Sequence, residues 1–262
     1  MTDAEDRPDF LETADGRRIA YRRTPDAGAG APGVVFLGGF RSDMTGTKAA
    51  FLEERCRARG RAFLRFDYTG HGQSSGRFED GCIGDWLRDA RDAIAALTEG
   101  PQVLVGSSMG GWIALLLARE APERVAALIG IAAAPDFTLD GMEAAFDEAQ
   151  RQEMARTGRV ALPSEYSDEP YVITRRLIED GRDHLVLRAP LPLPFPTRLL
   201  QGSADVDVPP ERARILFDHA KGPDIRLLLV KGADHRFSGP RELRILDETL
   251  EEAIAAAREA GR

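Results

Sequence analysis

The stretch Val103-Leu104-Val105-Gly106-Ser107-Ser108-Met109-Gly110-Gly111-Trp112 decides how this chain is read. An apolar run at 103–105 reads as a strand, the residues 112–121 read as a helix, and Gly-x-Ser-x-Gly joins them. That is the strand-turn-helix setting a nucleophile elbow needs. A serine at the tip of so tight a turn takes positive-φ backbone angles. The glycines two before and two after it remove side chains that would strike the neighbouring strand and helix. Ser108 Oγ is then exposed at the carboxyl end of a sheet. The bland alternative for five such residues is a small-residue turn, and the rest of the chain decides between the two.

A serine nucleophile needs a base, and the base needs an orienting carboxylate, in the chain order Ser, Asp or Glu, His. Of the four histidines, His235 alone lies in a short polar loop (232–235) between a strand candidate and the last helix, and it is the expected general base. His71, His184 and His219 read as surface or structural residues. The acid is expected just after the strand at 197–201, where Asp205 stands first and Asp207 follows; spacing alone leaves both open. Acyl transfer also needs N–H donors for the developing oxyanion. The backbone N–H of Met109, at the start of the helix, supplies one. The N–H of Phe40, after Val34-Val35-Phe36-Leu37-Gly38-Gly39, is the expected second.

Strand candidates at 17–23, 33–37, 62–67, 103–106, 125–131, 197–201 and 225–230 alternate with helix candidates at 45–59, 82–97, 110–121, 210–220 and 241–259. The alternation predicts a mostly parallel sheet covered by helices on both faces, and 262 residues suit one such domain. The rhythm stops at 135–196, which is expected to form a lid inserted between two parts of the core, 1–134 and 197–262. Phe137, Met142, Phe146, Met154 and Leu162 give the insert one apolar face, and Tyr166, Tyr171, Val172, Ile173, Leu177 and Ile178 a second. Phe137, Met142 and Phe146 follow the strand that ends nearest Ser108, so they are the expected acyl-binding residues. About half of the apolar set should only dock the insert.

A net charge of −8 argues against nucleic acid or an anionic membrane surface as partner. Arg55, Arg57, Arg59 and Arg61 read as the solvated end of a helix. Two cysteines, Cys56 and Cys82, make no disulfide framework and are expected to be reduced. No apolar run approaches the roughly 20 residues of a membrane span. The acidic start of the chain resembles no targeting segment. Abundant alanine, arginine and glycine suggest a bacterial protein, and a cytoplasmic location is expected. No metal-ligand spacing is present, and the chemistry needs no metal or organic cofactor.

With these residues in view the chain resembles the α/β-hydrolases from end to end. The carrying stretches are Phe36-Leu37-Gly38-Gly39-Phe40, Gly46-Thr47-Lys48-Ala49, Arg65-Phe66-Asp67-Tyr68-Thr69-Gly70-His71-Gly72-Gln73-Ser74, the elbow, Gly202-x-x-Asp205-x-x-Val208-Pro209 and Asp234-His235-Arg236. Gly-Thr-Lys-Ala and Gly-Ser-Ser-x-Gly-Gly-Trp are similar to the subgroup of acyl-glucuronide esterases and protein S-depalmitoylases. The resemblance selects Asp205 over Asp207. It implies a cofactor-independent serine hydrolase of esters or thioesters, acting on a small molecule or an S-acylated protein. Gly38 departs from the histidine that often opens this loop in the wider superfamily. A serine acyltransferase or peptidase on the same fold, and a binding protein without activity, are the alternatives; oligomeric state is left open.

Overall fold

The computed structural model describes residues 7–162 and 170–261. The elements run β1 (Asp9–Glu12), β2 (Arg18–Thr24), β3 (Val34–Leu37), α1 (Thr47–Ala58), β4 (Phe63–Phe66), α2 (Ile83–Leu97), β5 (Gln102–Ser107), α3 (Met109–Glu120) and β6 (Val125–Ile131). After the insert come β9 (Thr197–Gly202), α6 (Pro210–His219), β10 (Ile225–Val230) and α7 (Pro240–Glu259). These form one eight-stranded sheet in the order β1-β2-β4-β3-β5-β6-β9-β10. All neighbours from β4 to β10 pair in parallel, while β1 and β2 run antiparallel at one edge.

The central strands β3, β5, β6 and β9 are buried at every position, which explains the uninterrupted apolar sequences of β3 and β6. One face of the sheet packs on α2, α3 and the insert through Trp86, Trp112, Ile113 and Leu177. The other packs on α1 and α7 through Leu52, Cys56, Leu246 and Leu250. β1 went unpredicted because Asp-Phe-Leu-Glu buries none of its four residues and pairs on one side only.

The arginine group at the end of α1 is not merely solvated, contrary to the expectation. Arg59 meets Asp247 at 2.6 Å, Arg55 meets the same carboxylate at 2.9 Å, and Arg61 meets Glu251 at 2.6 Å. The group therefore ties α1 and the turn after it to α7.

The insert is more regular than its sequence suggests. A π-helical turn (Thr138–Glu143) leads to α4 (Glu148–Thr157), β7 (Arg159–Leu162), β8 (Tyr171–Thr174) and α5 (Arg175–Asp183). Asp147 opens α4 with a reciprocal capping box to Gln150, at 2.8 and 2.9 Å. β7 and β8 pair antiparallel as a separate two-stranded sheet. The insert docks through Phe146, Val160, Ile173, Leu177 and Ile178, all buried in the cluster that holds α3. Polar ties add to this: Trp112 Nε1 donates to His184 O at 3.0 Å, and the fully buried Asp136 accepts from the N–H groups of Val186 and Leu187 at 2.8 and 3.0 Å. Tyr166, expected on the second apolar face, lies outside the described residues. Among the described residues no helix is long and apolar enough to cross a membrane.

Candidate active site

Ser108 stands between β5 and α3 with φ 53° and ψ −116°, the strained turn expected of a nucleophile elbow. A Cβ on Gly106 would sit 2.3 Å from Gly110 O, and one on Gly110 would sit 2.0 Å from Leu37 O, so no other residue fits either position. Ser108 N–H donates to Ile131 O at 2.9 Å, which fixes the tip to the end of β6. The hydroxyl caps no helix N–H and is left for other work.

His235 reaches the elbow from the loop after β10. Its Nε2 lies 3.2 Å from Ser108 Oγ and its Nδ1 lies 3.0 Å from Asp205 Oδ2. A carboxylate only accepts, so Nδ1 carries the hydrogen and Nε2 presents a lone pair to the serine hydroxyl. Asp205 is buried in the loop after β9. Its Oδ2 also accepts from Gln201 Nε2 at 2.8 Å, and its Oδ1 accepts from the N–H groups of Asp207 and Val208 at 3.0 and 2.8 Å. Burial alone would raise this carboxyl; the hydrogen bonds from His235, Val208 and Gln201 outweigh it and hold Asp205 below the ordinary carboxylate value. The two loops are stapled together, because Ala204 N–H donates to Ala233 O at 2.9 Å and Gly232 N–H to Ser203 Oγ at 2.8 Å. Asp207 is exposed, and its backbone N–H donates to Asp205 Oδ1.

The loop after β3 passes against the elbow: a Cβ on Gly39 would lie 3.6 Å from Ser108 Cβ. Phe40 follows, its ring in edge contact with Phe78, Phe137 and Tyr171 at 4.8, 5.6 and 6.0 Å. Met109 begins α3 directly after the serine. Ser108, His235, Phe40, Phe137, Met142 and Tyr171 share the wall of a cleft of about 630 Å³, within the range of small-molecule sites.

The sequence matches the model of the alpha/beta hydrolase family over residues 34–259. The chain belongs to that family. It is 38% identical over 246 residues to the mitochondrial palmitoyl-protein thioesterase ABHD10 of Mus musculus, covering 94% of this chain and 82% of the relative. The Homo sapiens form is 37% identical over the same length and is covered to 79%. Among solved structures, the mouse alpha/beta hydrolase domain-containing protein 10 superposes with a TM-score of 0.87 at 36% identity, covering 95% of this chain and 98% of that one. A protein from Agrobacterium vitis superposes with a TM-score of 0.90 at 39% identity, covering 94% and 98%.

Phe146, expected in the acyl-binding wall with Phe137 and Met142, is a correction. It is buried within the hydrolase's insert beside Met154 and Ile178, in a cavity apart from the Ser108 cleft. The turn at 138–143 is π-helical, and the next residues carry the Phe146 side chain inward to α4 and α5. Tyr171, expected on the second apolar face of the insert and not among the first-choice acyl-binding residues, also lines the cleft. Lys48, noted in the sequence only as part of a resemblance, also lines it and donates from Nζ to Arg236 O, next to His235. Burial pushes the Lys48 ammonium down to about 8.

Asp205, Asp207 and His235 bring ligand atoms within 4.8 Å of one another, but Asp205 and His235 Nδ1 are already engaged in the hydrogen bonds above. Of the other histidines, His184 is held by Asp180 O at 2.8 Å and His219 meets Ala189 O at 2.8 Å. His71 is buried, and that burial pushes its imidazole down to about 4. Arg41, the charged group facing it, lowers it further, against the raising effect of Thr69 O.

Between that value and the ordinary 6.5 the unfolded chain binds a proton that the native protein excludes, so falling pH favours unfolding. A gap of this size corresponds to on the order of 3 kcal/mol across the interval. Unfolding free energies measured by denaturant at pH 7 and at pH 4.5 should therefore converge in His71→Phe relative to the unsubstituted protein. An identical acid dependence in both would show that His71 does not enter the fold as a neutral ring.

Proposed function

We propose that this chain is a cofactor-independent serine hydrolase that cleaves carboxylic esters or thioesters through an acyl-enzyme at Ser108. The observation that carries the reading is the unbroken line of hydrogen bonds from Ser108 Oγ through His235 to Asp205, 3.2 and 3.0 Å long, of which Ser108 and His235 line the cleft. His235 Nε2 takes the hydroxyl proton as Oγ attacks the carbonyl carbon. The N–H groups of Met109 and Phe40 receive the oxygen of the tetrahedral intermediate. His235 then protonates the departing alcohol or thiol, and the same base activates water to release the acid. Asp205 stays ionised throughout and stabilises the imidazolium that forms in each half-reaction.

The palmitoyl-protein thioesterase relatives support a long-chain acyl thioester, on a small molecule or a protein, as substrate. An apolar wall of Phe40, Phe137, Met142 and Tyr171 fits such a chain. In this reading the segment 135–196 acts as a lid over the site. A reducing compartment such as the cytoplasm suits its two free, buried thiols, Cys56 and Cys82. A panel of p-nitrophenyl esters, acyl thioesters and acyl glucuronides of graded chain length tests the assignment. Preference for long acyl thioesters is expected, and failure to hydrolyse any of the three classes would overturn it.

Phe137→Ala and Met142→Ala test the acyl wall. Each methylene in a hydrophobic pocket is worth roughly 1 to 3 kcal/mol of discrimination. The ratio of kcat/KM for a long over a short acyl ester should therefore fall by about tenfold in each variant. Equal losses for both esters would leave these residues with a docking role only.

A further inference from the structure

A peptide unit is planar and trans, so its C=O and N–H point in opposite directions, and gripping one end aims the other. The unit between Gly39 and Phe40 is gripped at its carbonyl: Gly39 O accepts from Ser42 N–H at 3.2 Å and from Ser42 Oγ–H at 2.8 Å. The next unit is gripped at its amide, where Arg41 N–H donates to His71 Nε2 at 3.2 Å. The two bonds hold the planes on either side of the Phe40 Cα. Arg41 itself has φ 55°, in the left-handed region, a turn that an unsupported arginine would leave.

His71 is built to hold its end. Its Nδ1 lies 3.2 Å from Thr69 O, and edge contacts from Tyr68, Phe78 and Trp86 at 5.7, 5.1 and 5.2 Å fix the ring. A carbonyl only accepts and an amide only donates, so the ring is the neutral form with its hydrogen on Nδ1. The same turn clamps the far end of the loop, because Asp67 accepts from Met44 N–H at 2.7 Å and from Gln73 N–H at 2.8 Å. The motif Asp67-x-x-Gly70-His71-Gly72 thus braces the loop after β3 from behind.

We propose that Ser42 and His71 are positioning residues that aim the Phe40 N–H at the oxygen of the tetrahedral intermediate formed on Ser108. This rests on the acyl-enzyme reading above. Both act through the backbone of the loop, by holding the peptide units on either side of Phe40. Their bonds are made before substrate arrives, so their loss should weaken the transition state and leave substrate binding alone.

The test uses the full-length protein and its Ser42→Ala, His71→Phe and His71→Gln variants. Each is assayed for kcat, KM and inhibition by an acyl trifluoromethyl ketone, which forms a tetrahedral oxyanion on the serine. Ser42 is exposed, so its variant keeps the proposal testable should His71→Phe fold poorly. Ser42→Ala should lower kcat about tenfold and His71→Phe on the order of a hundredfold, with KM within about twofold. The ketone's Ki should rise in step with the fall in kcat/KM, and His71→Gln, which keeps an acceptor, should recover most of the loss. Tight inhibition of the unsubstituted enzyme, together with unchanged kcat and Ki in folded Ser42→Ala and His71→Phe, would overturn the positioning role alone. So would losses confined to KM. Absence of ketone inhibition in the unsubstituted enzyme would instead strike the acyl-enzyme reading, and this inference with it.

Discussion

Ser108→Ala and His235→Ala are each expected to lower kcat by on the order of a millionfold while the protein stays folded, because nucleophile and base act as one unit. Loss of the oxygen should cost the fold little. Ser108 Oγ caps no N–H of α3, and the positive φ at this position is set by backbone bonds to Ile131 and Ala134 that alanine retains. His235 is half-buried in a loop, and the contacts that hold the loop run through Gly232 and Ala233 rather than its ring. The check is ester hydrolysis beside thermal melts, with a fluorophosphonate probe as a second readout. The probe should label the unsubstituted chain and not the Ser108→Ala variant. Near-normal hydrolysis by folded Ser108→Ala would sink the mechanism.

Most of the core was legible because burial on both faces leaves a strand no choice of composition. Val34-Val35-Phe36-Leu37 and Val125 to Ile131 are apolar throughout for that reason, and the latter was bounded without error. Part of what escaped was structure with little burial to write it into sequence. α4 buries none of its ten residues, so no helical period marks it, and its start is set by the Asp147 capping box alone. Among the described residues β7 and β8 pair only with each other, and their four-residue alternation is too short to separate from chance.

The site divides along the same line. Ser108 and His235 were readable because chain order and the loop after each strand constrain them; those constraints left Asp205 and Asp207 both open, and only the family resemblance chose Asp205, whose side chain the structure brings together with the other two. Phe137 and Met142 could be placed from connectivity, since they leave β6 beside the elbow. Phe146 could not, because a residue's direction depends on the twist of the helical turn before it. His71 and Lys48 were missed for another reason: their partners, Arg41 N–H and Arg236 O, lie 30 and 188 residues away. Long-range hydrogen bonds to backbone leave no local pattern.

Asp205→Asn should lower kcat by about 10⁴-fold, the loss typical of a triad left in the wrong tautomer. Asp205 Oδ1 is held by two backbone donors, Asp207 N–H and Val208 N–H, so an asparagine keeps its oxygen there and turns its NH₂ toward His235. An amide donor facing Nδ1 forces the imidazole hydrogen onto Nε2, where it opposes the Ser108 hydroxyl and can no longer take its proton. Asp207→Ala should change kcat less than about fivefold, since its contribution at Asp205 is a backbone N–H that alanine also supplies. Parallel assays of the two variants, with melting curves to exclude unfolding, decide between the carboxylates. A loss in Asp207→Ala far exceeding that in Asp205→Asn would move the orienting role to Asp207. The relay would then have to reorganise in the working enzyme, because Asp205 is the carboxylate buried against His235 Nδ1.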